Sequence, residues 1–183
     1  MAAGSLTLLF ITYAVICMAH SMCNQTLGAY QKTIGMQATL IGLISSTMSM
    51  AAFIIRPFSA PLTDRGNKKK IFLGVVTLFA LATFLYSRAT TTETAVVARV
   101  LHGIAWTFIS TITAVILSER VPHEDYGTAL GFFMVSQMIA SAVAPTIAFA
   151  IAHAYRYAVI YVLFAGVTAI GAVMLLFTAP TVS

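Results

Sequence analysis

The chain has 183 residues, of which 60% are hydrophobic and only 8% charged, with a net charge of +5. A soluble domain carries roughly 25% charged residues, so this composition cannot cover a water-facing surface. Four of the ten basic residues fall between Arg65 and Lys70, so the positive balance reports membrane orientation rather than a nucleic-acid partner.

The first apolar run, from Ser5 to Cys23, predicts a helix over 5–23. It is long and has no basic segment before it, which fits an uncleaved span rather than a signal peptide. Cys17 and Cys23 lie in this run, about 9 Å apart along a helix axis, too far for a disulfide without distortion. Tyr13, His20 and Asn24 share one face of it. Asn24-Gln25-Thr26 matches a glycosylation sequon beside the expected helix end. A second helix is expected over 37–60, with the small pairs Gly42/Ser46 and Ser45/Ser49 at a spacing that lets helices approach closely in lipid. The densest charge in the chain follows as a loop, Asp64-Arg65-Gly66-Asn67-Lys68-Lys69-Lys70. A third helix over 70–87 is rich in bulky apolar side chains and reads as lipid-facing. The fourth, over 95–118, carries a stripe of Arg99, His102, Trp106, Ser110 and Thr113. The fifth, over 127–152, carries Gln137 with Ser141 and two small-residue faces, Gly127/Gly131 and Ala140/Ala144/Ala148/Ala152. The sixth, over 157–178, again reads as lipid-facing. Each run reaches roughly 18–25 residues, enough to cross a bilayer core of about 30 Å.

The expected connections 2–3 and 4–5, with their flanks, hold Arg56, Arg65, Lys68, Lys69, Lys70 and Arg120. The opposite connections hold Lys32, Arg88 and Arg156, with Arg99 just inside the fourth helix. The positive-inside tendency then puts the lysine-rich loop and both termini in the cytoplasm.

Polar groups within spans carry a cost of about 2.5–3.5 kcal/mol for a mid-membrane charge. Three polar stripes converging in a bundle would line a water-accessible cavity, with His20, Asn24, Arg99, His102, Trp106 and Gln137 as candidates to meet a solute. The alternative for Arg99 is snorkelling to the interface, since it lies about 6 Å from the expected helix start. The histidines serve equally well as internally bonded packing residues, and Tyr13 reads as packing. All five acids, Asp64, Glu93, Glu119, Glu124 and Asp125, fall outside the expected spans. A proton-coupled carrier built from these residues alone would have only histidine to titrate at mid-membrane. No H-E-x-x-H, G-x-S-x-G or paired intramembrane carboxylate occurs, and the histidines lack metal-ligand spacing. No catalytic residue, metal or cofactor is expected.

The segment Ala60-Pro61-Leu62-Thr63-Asp64-Arg65-Gly66-Asn67-Lys68-Lys69-Lys70 resembles the loop signature of the major facilitator superfamily, with Ala60 for the usual leading glycine and Gly66 one place early. Arg99-Val100-Leu101-His102-Gly103 resembles the family's fourth-helix motif, with histidine where glutamine is common. Glu119-Arg120-Val121-Pro122 and Gly127-Thr128-Ala129-Leu130-Gly131 follow in family order. Ala144-Pro145 with Ala148 is similar to a degenerate antiporter motif, and Arg56-Pro57-Phe58-Ser59 to the second-helix end of efflux-like permeases. The resemblance implies an all-α membrane protein, a six-helix N-terminal half-bundle built as a 3+3 inverted repeat, here a single domain over 1–183. It implies a secondary transporter of a small solute, with efflux as the direction, working by alternating access. It also implies a conformational latch of Asp64, Arg65, Lys69 and Glu119, with Glu119 opposite Arg65. The family normally has twelve helices. A truncated or split product, a separately encoded second half, and a second copy of the chain are the expected explanations for six. The competing functional class is a non-transporting remnant or a regulatory or scaffolding membrane subunit.

Overall fold

A computed structural model describes residues 2–176 of the chain, with side chains described for residues 7–173. The described residues form helices α1 (Ala2–Thr33), α2 (Ala38–Arg65), α3 (Lys68–Tyr86), α4 (Thr92–Arg120), α5 (Tyr126–Ala154) and α6 (Tyr157–Leu176), with no strand. Five of them are long and apolar enough to cross a membrane; the apolar segment of the sixth is described over Tyr157–Val173. The expected end of that helix at 178 lies outside the described residues.

Two helices run further than the sequence suggests. α1 continues ten residues past Cys23 to Thr33, because its polar residues face neighbouring helices rather than ending the span. Asn24 is therefore mid-helix, and the sequon at the expected helix end is an interior position. α2 continues through Pro57 and Pro61 to Arg65. A proline leaves the carbonyl four residues earlier without its intrahelical donor, here those of Phe53 and Pro57, an interruption that membrane helices tolerate; in the same stretch Ser59 Oγ donates to the Arg56 carbonyl and Thr63 Oγ1 to the Ser59 carbonyl. The lysine-rich segment is thus no loop. Only Gly66 and Asn67 connect the two helices, and the charges occupy the last turn of α2 and the first turn of α3. Cations at a helix start oppose its dipole by about 0.3–1 kcal/mol each. The Asn67 side chain caps that end by accepting from the Lys70 amide at 3.0 Å. Thr91 and Thr94 form a capping box at the start of α4. Between α1 and α2, Gly35 turns the chain with φ +86°, a conformation that favours glycine.

α2 packs against α4, α3 lies between α4 and α6, and α1 packs against α5 and α6. The main core joins Ile16 and Cys17 of α1, Val76 and Phe79 of α3, and Ile109, Ile112 and Leu117 of α4. A second cluster seats Met22 against Ala144 and Ala148 of α5 and Ile160 of α6, so the alanine face of α5 does carry a close contact. Cys17 and Cys23 are buried free thiols.

Two expectations about packing change. Gly42, Gly127 and Gly131 have open space where a side chain would sit, whereas Gly103 meets the Met48 carbonyl and Ala51 of α2. The tight α2–α4 crossing belongs to that glycine. α6 does turn Leu163 and Ile170 outward, but α3 buries Phe72, Val76, Phe79 and Tyr86. The broad exposed faces are on α2 and α5, where Phe53 is 80% exposed and Met138 71%. Bulk alone does not assign a face in lipid, because bulky side chains fill helix–helix contacts as well as they meet acyl chains.

Candidate functional site

The tight α2–α4 contact at Gly103 brings Arg99 of α4 beside Met48 of α2, while α1 crosses near both. Helix α4 begins at Thr92, so Arg99 lies about 10 Å along it, deeper than the sequence suggests. Arg99 is only 3% exposed, which overturns snorkelling. Its Nη1 donates to Asn24 Oδ1 and to Met48 Sδ at 3.3 Å, and its guanidinium lies 5.9 Å from the Tyr86 ring centre, within cation–π range. Its Nε has no partner.

Arginine only donates hydrogen bonds, so the Asn24 amide oxygen must face it. The Asn24 Nδ2 group then donates to His20 Nε2 at 2.9 Å. With Nε2 accepting, His20 carries its proton on Nδ1 and donates to His102 Nε2 at 3.0 Å. By the same logic His102 Nδ1 donates to the Tyr86 hydroxyl at 2.9 Å. One relay therefore runs Arg99, Asn24, His20, His102, Tyr86 across α4, α1 and α3, and its single cation sets the direction of every bond. Both histidines are neutral in this arrangement. Trp106 stacks on His20 with ring centres 3.6 Å apart and planes 13° apart. Tyr13 packs edge-on against Phe133 at 4.9 Å, a packing residue as expected.

Beside the relay is a cavity of about 530 Å³ lined by His20, Asn24 and Trp106 together with Ser45, Ser49, Phe53 and Arg56 of α2. Five of the six solute candidates thus gather in one place, His20, Asn24 and Trp106 on the wall and Arg99 and His102 behind it. Gln137 is half-buried on α5 and does not line this cavity. Its neighbour Ser141 instead meets Ser21 of α1 at 3.2 Å, and the Ser141 carbonyl accepts from Gln25. Ser110 turns back to the Thr107 carbonyl, and the buried Thr113 hydroxyl has no partner. Tyr86, Met48 and Arg56 were not singled out as site residues. Tyr86 is the lone tyrosine of α3, and Arg56 lies within α2 rather than at its end; these are the signals that would have found those two, and Met48 has none.

At the lysine-rich end, Glu119 pairs with Lys68 at 3.0 Å rather than with Arg65. Lys68 opens α3, which packs along α4, whereas Arg65 closes α2 and is exposed. Asp64 is exposed and Lys69 half-buried. Among the described residues, no group of histidine, cysteine or acid could hold a metal.

Comparison with known proteins gives this arrangement a context. The uncharacterized MFS-type transporter YhcA of Bacillus subtilis (strain 168) is 23% identical over 178 residues, covering 96% of this chain and 33% of that protein. MdtD of Klebsiella pneumoniae (strain 342), whose name refers to multidrug resistance, is 22% identical over 160 residues, covering 87% of this chain and 34% of its own length. The chain therefore spans about a third of the curated relatives it matches. Among solved structures, an inward-facing, unoccupied bacterial homologue of the human lysosomal transporter Spinster superposes with a TM-score of 0.84 at 13% identity, over all of this chain and 44% of that one. The occupied form gives 0.83 over 98% of this chain. These likenesses give the fold of a half-bundle. The description of the Major Facilitator Superfamily, a family of transporters rather than enzymes, matches residues 9–183, and the chain belongs to that family as a multi-pass membrane protein.

Proposed function

We propose that the chain is the N-terminal six-helix half of a secondary active transporter, moving a small solute across the cell membrane by alternating access. The observation that carries this is the mid-span cavity walled by His20, Asn24, Arg56 and Trp106, open toward the exposed side of α2. A soluble or purely structural helix bundle has no need of Arg56, Arg99, His20 and His102 within its apolar helices. Efflux is the proposed direction, supported by the multidrug resistance relatives. The whole of 1–183 acts as one domain, with both termini and the Lys68–Glu119 pair on the cytoplasmic side. Asp64, Arg65, Lys69 and Glu119 form the latch that closes that side. The exposed faces of α2 and α5 pack against a second six-helix half, which completes the cavity wall.

The test is solute flux into or out of liposomes carrying the protein. Flux that Arg99→Ala abolishes supports transport. Absence of flux at every protein density, with the second half supplied, supports the competing reading of a remnant or scaffolding subunit.

A further inference from the structure

We infer that the cavity takes an organic anion, a carboxylate or similarly charged headgroup on an apolar body; this deepens the transporter reading and rests on it. Charge is the first ground. Arg56 lines the cavity, within α2 and about 13 Å before its end. Arg99 stands directly behind Asn24 and Met48, both of which line the cavity. Among the described residues neither arginine meets a carboxylate. The five acids of the chain are Asp64, Glu93, Glu119, Glu124 and Asp125, and all of them sit at helix ends or in the connection between α4 and α5.

The second ground is an unfilled bonding position. Arg99 is almost wholly buried, yet its Nε has no partner, and its Nη1 bonds are to a neutral amide and a thioether. A cation held in a low-dielectric span with only neutral partners favours an anion nearby and disfavours a second cation. The relay offers no substitute, because the donor order fixed by Arg99 keeps both histidines neutral. The third ground is the rest of the wall. Ser45 and Ser49 supply hydroxyl donors for a headgroup, and Phe53 and Trp106 supply aromatic surface for the apolar part.

Trp106 is the only tryptophan in the chain, so its fluorescence reports on this cavity alone. The purified chain in nanodiscs is titrated with 4-bromobenzoate, whose bromine quenches tryptophan, and with the matched bromobenzylammonium and bromobenzamide. Saturable quenching by bromobenzoate only, weakened about tenfold or more by Arg56→Gln, is the expected result. Arg56 is exposed on the cavity wall, so this variant keeps the core intact; Arg99→Lys, which retains the buried charge, should retain binding in part. Equal quenching by all three compounds, or bromobenzoate quenching indifferent to Arg56→Gln, overturns the assignment. Flux inhibited by bromobenzylammonium but not by bromobenzoate also overturns it, while leaving the transporter reading in place. Saturable bromobenzoate binding without any flux in liposomes, with the second half supplied, keeps the anion site and removes the transporter reading instead.

Discussion

Tyr86 ends the relay that Arg99 begins, and its hydroxyl is what the buried His102 Nδ1 donates to. Removing that acceptor in Tyr86→Phe leaves a fully buried N–H without a partner. The cost should be about 1–3 kcal/mol in reversible unfolding from detergent. Tyr161→Phe is the matched control. Tyr161 is equally buried and bonds Thr26 at 3.1 Å, but the Thr26 hydroxyl already donates to the Met22 carbonyl at 2.7 Å. Its loss strands no donor and should cost no more than about 1 kcal/mol. Equal losses for the two variants would mean that the relay adds nothing beyond ordinary packing. At this scale the sequence was partly legible. Spacing along α1 and α4 put His20, Asn24, Arg99, His102 and Trp106 on facing stripes, because seven- and four-residue intervals return to one helix face. It did not reveal Tyr86 or Arg56, since a stripe on one helix says nothing of what another helix brings to it. Nor did it reveal the bond order, which follows only once Asn24 is seen between a cation and an imidazole.

At the scale of elements, the α2–α4 crossing depends on Gly103. A methyl group there would run into the Met48 carbonyl and Ala51, and backbone cannot move aside as a flexible side chain can. Gly103→Ala should therefore cost about 1–3 kcal/mol and should blue- or red-shift Trp106 emission, because Trp106 lies one turn further along α4. Gly127→Ala meets open space and gains up to about 1 kcal/mol of helix propensity, so it should be neutral or stabilising and leave the emission alone. A Gly103→Ala chain with unchanged stability would mean that the close approach carries no weight. The family-like segment Arg99–Gly103 gains a physical reason from this: the glycine allows the contact that sets Arg99 beside Met48. The small-residue faces at Gly42 and Gly127 looked equivalent in sequence. Small size permits close packing without requiring it, and the topology decides which permission is used. Helix ends differ for a related reason. The end of an apolar run at Cys23 and the approach of charge at Asp64 read as helix ends, whereas in lipid an unsatisfied backbone costs more than continuing the helix.

For the whole molecule, the exposed apolar faces separate the two kinds of surface a membrane protein needs. α2 exposes Phe53, Met50 and Leu43, and α5 exposes Phe132 and Met138, whereas the outward face of α6 carries Leu163 and Ile170. Composition does not distinguish these faces, since acyl chains and apolar helices offer similar surroundings, which is why the sequence pointed to α3 and α6 for lipid contact. Packing does distinguish them. The cavity opens beside Phe53, so a partner on the α2 side would close it. Fluorescent labels at Phe53→Cys, Met138→Cys or Ile170→Cys, in a background with Cys17 and Cys23 replaced by alanine, can be quenched by brominated lipid. In the six-helix chain alone all three labels should be quenched. In the assembled carrier the labels on α2 and α5 should lose most of that quenching, and the label on α6 should keep it. The lysine-rich end makes the companion measurement: a cysteine at Asn67 should react with an impermeant maleimide only from the cytoplasmic side. If lipid reaches Phe53 as freely in the assembly as in the lone chain, α2 does not face a second half, and the cavity must be closed from another direction.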